Sequence, residues 1–238
     1  MKTRIGIPNR GRLATMCCEI INIAFNVNIE ISSRIMTYST HDGTDDIDIF
    51  LLRSTDIPML LHNGYLDIGI TGNDYFLDSG ANITEANNLF MFNGYLCLLT
   101  QKYGNIACFA DMISAIDLFC FSQYKNISKN LMKILNPSIK VNEIDGAAES
   151  YFKLTKCDII IDVVTSGSTF TLNGLKIISP IMPVSTHIYI NNNYLSKSSD
   201  LCEDLIYRIC GQKLCVESKN NSITYMNYLK FIKQIDKK

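Results

Sequence analysis

Between Ile159 and Thr169 the chain reads I-I-I-D-V-V-T-S-G-S-T: an apolar run, one carboxylate, then a small loop rich in hydroxyls. The run predicts a short buried strand ending in Asp162 and turning through Thr165-Ser166-Gly167-Ser168-Thr169 into Phe170-Thr171-Leu172. Gly167 can take a positive φ, so successive backbone N–H groups can converge on an anion. A following helical turn adds its dipole, and the hydroxyls of Ser166, Ser168 and Thr169 add further donors. Asp162 is a poor phosphate ligand but suits sugar hydroxyls. Together these residues point to a phosphorylated sugar. The same segment also suits a Ser/Thr-capped helix behind a core strand.

Three more segments repeat the strand–turn–helix logic. In Ile5-Gly6-Ile7-Pro8-Asn9-Arg10-Gly11-Arg12-Leu13, two arginines flank a glycine after a strand. Guanidinium groups bind phosphate oxygens in bidentate fashion. Arg53 follows the strand D-I-D-I-F-L-L and precedes a helix start at Ser54-Thr55-Asp56. Open α/β sheets bind ligands outside the carboxyl ends of their strands, where this third arginine falls. In Ile68-Gly69-Ile70-Thr71-Gly72-Asn73-Asp74, Gly72 permits close backbone approach. Asn73 or Asp74 can cap a helix or accept from an adenine amine. Arginines in solvent, an Arg53 ion pair with Asp56 or Asp74, and simple capping are the plainer readings of each segment alone.

The elements that must hold these groups alternate short apolar strands with helical stretches, which predicts α/β layers with mostly parallel sheets. Strands are expected over Ile5–Ile7, Ile47–Leu52, Asp67–Thr71, Leu96–Thr100, Leu118–Phe121, Ile139–Ile144, Cys157–Val163 and His187–Ile190. Helices are expected over Leu13–Phe25, Asp56–Asn63, Asp74–Ser79, Phe109–Ala115, Ile127–Leu135 and Ala147–Leu154. Ile20, Ile21, Ala24 and Phe25 share one face of the first helix. The pattern changes near Tyr95–Gln101 and again near Pro180–Pro183, so two crossings join two lobes with a ligand cleft between them. Residues 1–95 with 184–238 form lobe I, and 96–183 form lobe II with the hydroxyl-rich loop. Ser198-Ser199-Asp200 is expected to cap a helix that Gly211 stops near Cys210, and Ser222–Ile235 to form another.

Composition narrows the function. The 238 residues are 47% hydrophobic and 19% charged with a net charge of −1, a folded protein without the basic excess of a nucleic-acid or membrane-surface binder. No stretch approaches the ~20 apolar residues of a membrane span, and no signal-type segment opens the chain, so a cytoplasmic protein is expected. The nine cysteines lack CxxC or Cys/His ligand spacing and read as reduced core thiols. His41, His62 and His187 offer no general base; His187, in T-H-I-Y-I, reads as a packed strand residue at the lobe junction.

In order, I-P-N-R-G-R-L, F-L-L-R-S-T-D-I-P, D-I-G-I-T-G-N-D, D-G-A-A-E, D-I-I-I-D-V-V-T-S-G-S-T and N-G-L resemble ATP phosphoribosyltransferase, the first enzyme of histidine biosynthesis, over about residues 4–192. The resemblance implies a two-lobed, periplasmic-binding-protein-like (type II) α/β fold with a C-terminal helical tail, in the short form without an appended regulatory domain. It implies transfer of phosphoribosyl from phosphoribosyl pyrophosphate (PRPP) to N1 of ATP with Mg2+ held mainly by substrate phosphates, in a chain that works as a homo-oligomer or with a histidyl-tRNA-synthetase-like regulatory subunit. Residues Thr165, Ser166, Gly167, Ser168 and Thr169 would grip the 5-phosphate and Asp162 the ribose hydroxyls. Glu149 and Asp145 would lie near the ribose or its metal. Arg10, Arg12 and Arg53 would meet pyrophosphate or ATP phosphates, and Gly72, Asn73 and Asp74 would border the adenine. Asp162, Glu149 and Arg10 are the residues expected to act on the reacting centre.

The sequence departs from the family pattern at Ser168, Gln123 and Gly94, where cations are usual, and at Thr155 and Phe170. Each lost charge-assisted bond would weaken polyphosphate binding by roughly 1–3 kcal/mol, and Lys125 is placed to offset one of them. A nucleotide or sugar-phosphate sensor of the same fold, binding without turnover, is the alternative these losses raise.

Overall fold

The structure is a computed structural model that describes residues 2–31, 34–42, 45–146, 148–165 and 168–220, without the side chains of residues 12, 42, 45, 168, 169, 199 and 213–220. In chain order the elements begin β1 (Lys2–Pro8), α1 (Gly11–Phe25), β2 (Thr37–Asp42), β3 (Asp45–Leu52), α2 (Ile57–His62), β4 (Ile68–Gly72), α3 (Asn73–Ser79) and β5 (Thr84–Asn88). They continue with β6 (Gly94–Gln101), α4 (Phe109–Ser114), β7 (Phe119–Ser122), α5 (Lys125–Leu135), β8 (Lys140–Glu143), a 3-10 turn (Ala148–Ser150) and α6 (Tyr151–Leu154). β9 (Ile159–Val164), α7 (Ser168–Leu172), β10 (Leu175–Val184), β11 (Thr186–Ile190), α8 (Asn192–Lys197) and α9 (Ser199–Asn220) complete the described chain. Within it, residues 2–92 and 185–220 make one compact unit and 93–184 a second.

The first unit has a six-stranded sheet in the order β2-β3-β1-β4-β11-β5. Isoleucines fill it: Ile5, Ile7, Ile47, Ile49, Ile68, Ile70, Ile188 and Ile190 are buried. They pack with Cys17, Ile20, Ile21 and Phe25 of α1 and with Cys202, Leu205 and Ile209 of α9. Each such side chain stabilises the fold by about 1.5–3 kcal/mol. A second cluster, including Ile57, Leu61, Leu66 and Tyr189, packs α2 onto the sheet. Arg4 and Asp67 fasten β1 to the start of β4: the carboxylate accepts from the Arg4 backbone N–H at 2.8 Å, from Nε at 2.9 Å and from Nη2 at 2.8 Å.

The second unit has a five-stranded sheet in the order β10-β6-β9-β7-β8. Cys97, Leu99, Ile160, Val164, Phe152 and Leu175 form one of its buried clusters. Asn136 closes α5 against the end of α4, donating through Nδ2 to the carbonyls of Met112, Ile113 and Ala115 at 2.9, 3.1 and 2.8 Å.

Two expectations need correction. The sheets are mixed rather than mostly parallel: β1 runs parallel to β3 and β4, and β7 to β8 and β9, but β2, β5, β6, β10 and β11 each pair antiparallel. Antiparallel neighbours need no crossover helix, so hairpins and returning strands fill these places. Second, α9 runs through Gly211 to Asn220. Gly211 costs about 1 kcal/mol in mid-helix, and burial of Cys202, Leu205 and Ile209 earlier along α9 offsets it. The helix expected over Ser222–Ile235 lies outside the described residues. No helix among the described residues is long and apolar enough to cross a membrane.

Candidate functional site

In the first unit β3, β1 and β4 are adjacent and parallel, with Pro8 opposite Leu52 and Gly6 opposite Gly69, so their carboxyl ends share one edge. The connections after β1 and β4 depart to opposite sides, which makes this edge a topological switch point. Hydrogen bonds knit the three loops together: Asn9 N–H donates to the Leu52 carbonyl at 2.8 Å, and Thr71 Oγ1 to the Ser54 carbonyl at 2.9 Å.

Arg10 and Arg53 are exposed on this edge. Arg10 caps α1 in extended conformation, and Gly11 then turns at φ 74, a conformation that costs glycine little. Arg12 lies in the first turn of α1; its side chain is not described. Gly72 precedes α3, and a Cβ at that position would collide with the Asp74 carboxylate. Asp74 is buried in the first turn of α3. The Asn73 Oδ1 accepts from the Ser185 N–H at 3.0 Å, and the Asn73 N–H donates to the Ser185 carbonyl at 3.1 Å. Asn73 thus continues the β4–β11 ladder by one side-chain rung.

Sequence reasoning passed over Asn9, between Pro8 and Arg10. Its Oδ1 is buried with no hydrogen-bond partner among the described residues. Such an acceptor costs about 1–3 kcal/mol unless something donates to it. Its place after a strand was legible in the sequence; its burial was not.

In the second unit β8, β7 and β9 are adjacent and parallel, so Glu143, Ser122 and Val164 end on a common edge. Ser122 is the buried keystone: its Oγ donates to the Ile161 carbonyl at 2.9 Å and accepts from the Tyr124 N–H at 3.0 Å. Lys125 opens α5 and pairs with Glu143 at 2.7 Å, so the cation near the Gln123 position already has a carboxylate partner. Past β8 the chain presents exposed Asp145, then half-buried Glu149 in the 3-10 turn.

Asp162 is half-buried on β9 and its Oδ1 accepts from the Val163 N–H at 2.7 Å. Across the ladder sits Cys97, its thiol pushed up to about 12 by burial and then by the Asp162 charge. Thr165 begins the bend after β9. Ser166 and Gly167 lie outside the described residues, while Ser168 and Thr169 open α7, their side chains undescribed. Phe170 of α7 packs against the cluster of Val164 and Leu175, anchoring the helix behind the loop. Gly94 backs the loop from β6: a Cβ there would lie 2.7 Å from the Val164 carbonyl oxygen and 3.0 Å from Thr165 Cγ2. At Thr155 the backbone is extended, φ −137, so no glycine is required; its hydroxyl instead donates to the Tyr151 carbonyl at 2.9 Å.

Two α/β units, each with polar groups at the carboxyl ends of parallel strands, define the two-lobed class of type II periplasmic-binding-protein-like folds. The alkanesulfonate-binding protein SsuA from Xanthomonas axonopodis pv. citri, bound to MOPS, matches with a TM-score of 0.59 at 13% identity, over 97% of this chain and 78% of its own. The ATP phosphoribosyl transferase (HisG:HisZ) complex from Thermotoga maritima contains a chain that matches with a TM-score of 0.71 at 21% identity, over 87% of this chain and 98% of its own. In sequence, the family model for ATP phosphoribosyltransferase matches residues 53–232. ATP phosphoribosyltransferase from Sulfolobus acidocaldarius is 30% identical over 227 residues, 94% of this chain and 76% of that protein. The enzyme of the same name from Methanocaldococcus jannaschii is 28% identical over 225 residues, 93% of this chain and 75% of that protein. The chain belongs to the ATP phosphoribosyltransferase family, pentosyl-transferring enzymes of the first step of histidine biosynthesis. The resemblance read from its motifs is borne out.

Proposed function

We propose that this chain transfers the phosphoribosyl group of PRPP to N1 of ATP and releases pyrophosphate. The observation that carries the division of labour is the sorting of its motifs. Asp162 within β9, Thr165 just after it, and Asp145 and Glu149 after β8 lie in one unit, and Arg10, Arg53 and Gly72-Asn73-Asp74 lie at strand ends of the other.

In the reaction the bond from the ribose C1 to pyrophosphate breaks, and the lone pair of adenine N1 forms the new bond to C1. C1 passes through an oxocarbenium-like state, so holding both partners in line and stabilising charge are the protein's tasks, with no protein nucleophile. Backbone N–H groups from Thr165 to Thr169 hold the 5-phosphate, and the Asp162 carboxylate accepts from ribose hydroxyls. Glu149 and Asp145 face the ribose and the cationic character developing there. Arg10, Arg12 and Arg53 neutralise polyphosphate oxygens, and the Gly72–Asp74 turn borders the adenine. The buried Asn9 Oδ1 supports a ligand on that edge, because a donor from the nucleotide would satisfy it.

Among the described residues no three His, Cys, Asp or Glu side chains gather as a metal cage. Single carboxylates fit Mg2+ that arrives on substrate phosphates and keeps water ligands. Bound in that way, Mg2+ would offset the charge of the leaving pyrophosphate. The Thermotoga maritima chain was solved as a HisG:HisZ complex, which supports a histidyl-tRNA-synthetase-like regulatory subunit as partner, with a homo-oligomer as the other assembly. Buried, unpaired thiols suit a cytoplasmic setting.

The test is turnover: purified chain, ATP, PRPP and Mg2+, with and without a regulatory subunit of that kind, read for pyrophosphate and N1-ribosylated ATP. Formation of both is expected. Binding of both substrates without product would turn the reading into a sensor.

A further inference from the structure

Ser185, the first residue after the chain returns from the second unit, is held by a set of side chains outside the motifs above. Its hydroxyl lies 2.8 Å from His187 Nε2. His187 Nδ1 lies 2.8 Å from Glu85 Oε1, off the line of a directed hydrogen bond, so that contact is electrostatic. His187 is buried on β11, while Glu85 on β5 is about half exposed. A carboxylate beside Nδ1 favours the tautomer protonated there, leaving Nε2 to accept from the Ser185 hydroxyl.

Serine, histidine and glutamate in this order have the layout of an acyl-transfer triad. The adjacent backbone argues against that use. An oxyanion needs free N–H donors, yet the Ser185 N–H donates to Asn73 Oδ1 at 3.0 Å and the Thr186 N–H to the Met91 carbonyl at 3.0 Å. The same bonds suggest a different role. Ser185 bonds to Asn73 through both its N–H and its carbonyl, so whatever orients Ser185 also orients the first residue of α3. The Leu89 N–H donates to the Thr186 carbonyl at 2.8 Å, which ties in the segment leaving β5.

We propose that His187 is a positioning residue for nucleotide binding: steadied by Glu85, it fixes the Ser185 hydroxyl and thereby the two-bond ladder that sets Asn73 at the start of α3. This rests on the reading of Gly72–Asp74 as the border of ATP. His187 itself touches no substrate.

In the full-length chain, His187→Ala should raise KM for ATP about tenfold, the value of one lost hydrogen bond. KM for PRPP should stay within about twofold, since the residues proposed for its 5-phosphate and ribose belong to the second unit. His187→Gln, whose amide can still accept from Ser185, should recover most of the loss. Ser185→Ala should match His187→Ala, and the double variant should be no worse than either alone. A readout independent of turnover is residue-resolved amide exchange. The Asn73 and Ser185 amides should exchange faster in His187→Ala, while those of Ile70 and Tyr189 within β4 and β11 stay protected. Unchanged exchange at Asn73 and Ser185, an equal rise in KM for both substrates, or additive losses in the double variant would overturn the proposal. A wild-type chain that does not ribosylate ATP would defeat the functional reading, and the exchange result would still decide whether the brace exists.

Discussion

Gly94→Ala tests how tightly the proposed phosphate loop is held from behind. Gly94 opens β6, next to Tyr95, which pairs with Val164 at the end of β9. An added Cβ would stand 2.7 Å from the Val164 carbonyl oxygen, a backbone atom that no rotamer change can move, and 3.0 Å from Thr165 Cγ2. Carbon rests against a carbonyl oxygen at about 3.3 Å or more, so the start of the loop must retreat by roughly half an ångström. Overpacking of this kind costs about 1–3 kcal/mol of stability. The functional loss should be selective: misplacing one or two charge-assisted bonds to the 5-phosphate weakens PRPP by roughly ten- to a hundredfold. Calorimetric titration with PRPP and separately with ATP reads both affinities, and urea unfolding reads stability. ATP affinity should stay within about twofold of wild type, because the added Cβ meets only Val164 and Thr165 of the second unit, and the proposed ATP contacts belong to the first. Unchanged PRPP affinity, or equal losses for both ligands, would refute the assignment of this loop.

Asp162→Asn keeps an oxygen for the Val163 N–H but loses the charge proposed to face the ribose; PRPP should weaken by about tenfold or more with ATP nearly unaffected, as titration of each ligand would reveal. Asp67→Ala removes the acceptor for three Arg4 donors. Denaturant unfolding should report a loss of roughly 2–3 kcal/mol, held down because the Arg4 side chain keeps 37% of its surface in water. Native alkylation followed by peptide mass mapping should label exposed Cys108 well before buried Cys17, Cys97, Cys120 and Cys157. Burial holds the Cys97 and Cys157 thiols up to about 12, so that order should persist to about pH 9.

Much of the frame was legible because buried parallel strands are written as mainly apolar runs. I-G-I, D-I-F-L-L, I-G-I-T and I-I-I-D-V-V all became strands, with Arg10, Arg53, Asn73 and Thr165 following their carboxyl ends; the strand expected to end in Asp162 runs on through Val164, so that carboxylate sits within β9. β2 and β5 were not legible, since T-Y-S-T-H-D and T-E-A-N-N form sheet edges and need no apolar signature. β10 hid for another reason: L-K-I-I-S-P-I-M-P-V carries two prolines, which an edge strand with register shifts at Ile177/Ser179 and Pro180/Met182 accommodates. Its antiparallel pairing with β6 is also one reason why mostly parallel sheets were the wrong expectation. At the candidate site, charge and glycine content flagged Arg10, Arg53 and Gly72, but Asn9 and Ser122 matter through burial and bonding geometry. The Ser185–Asn73 ladder joins residues 112 positions apart, a relation invisible to any local pattern.

The division of substrates between the two units is tested most directly by hydrogen–deuterium exchange of the full chain with each ligand alone. PRPP should slow exchange in peptides covering residues 143–150 and 160–172, and ATP in those covering 8–13, 52–56 and 71–75. Protection by PRPP confined to the first unit, or by ATP confined to the second, would contradict the account.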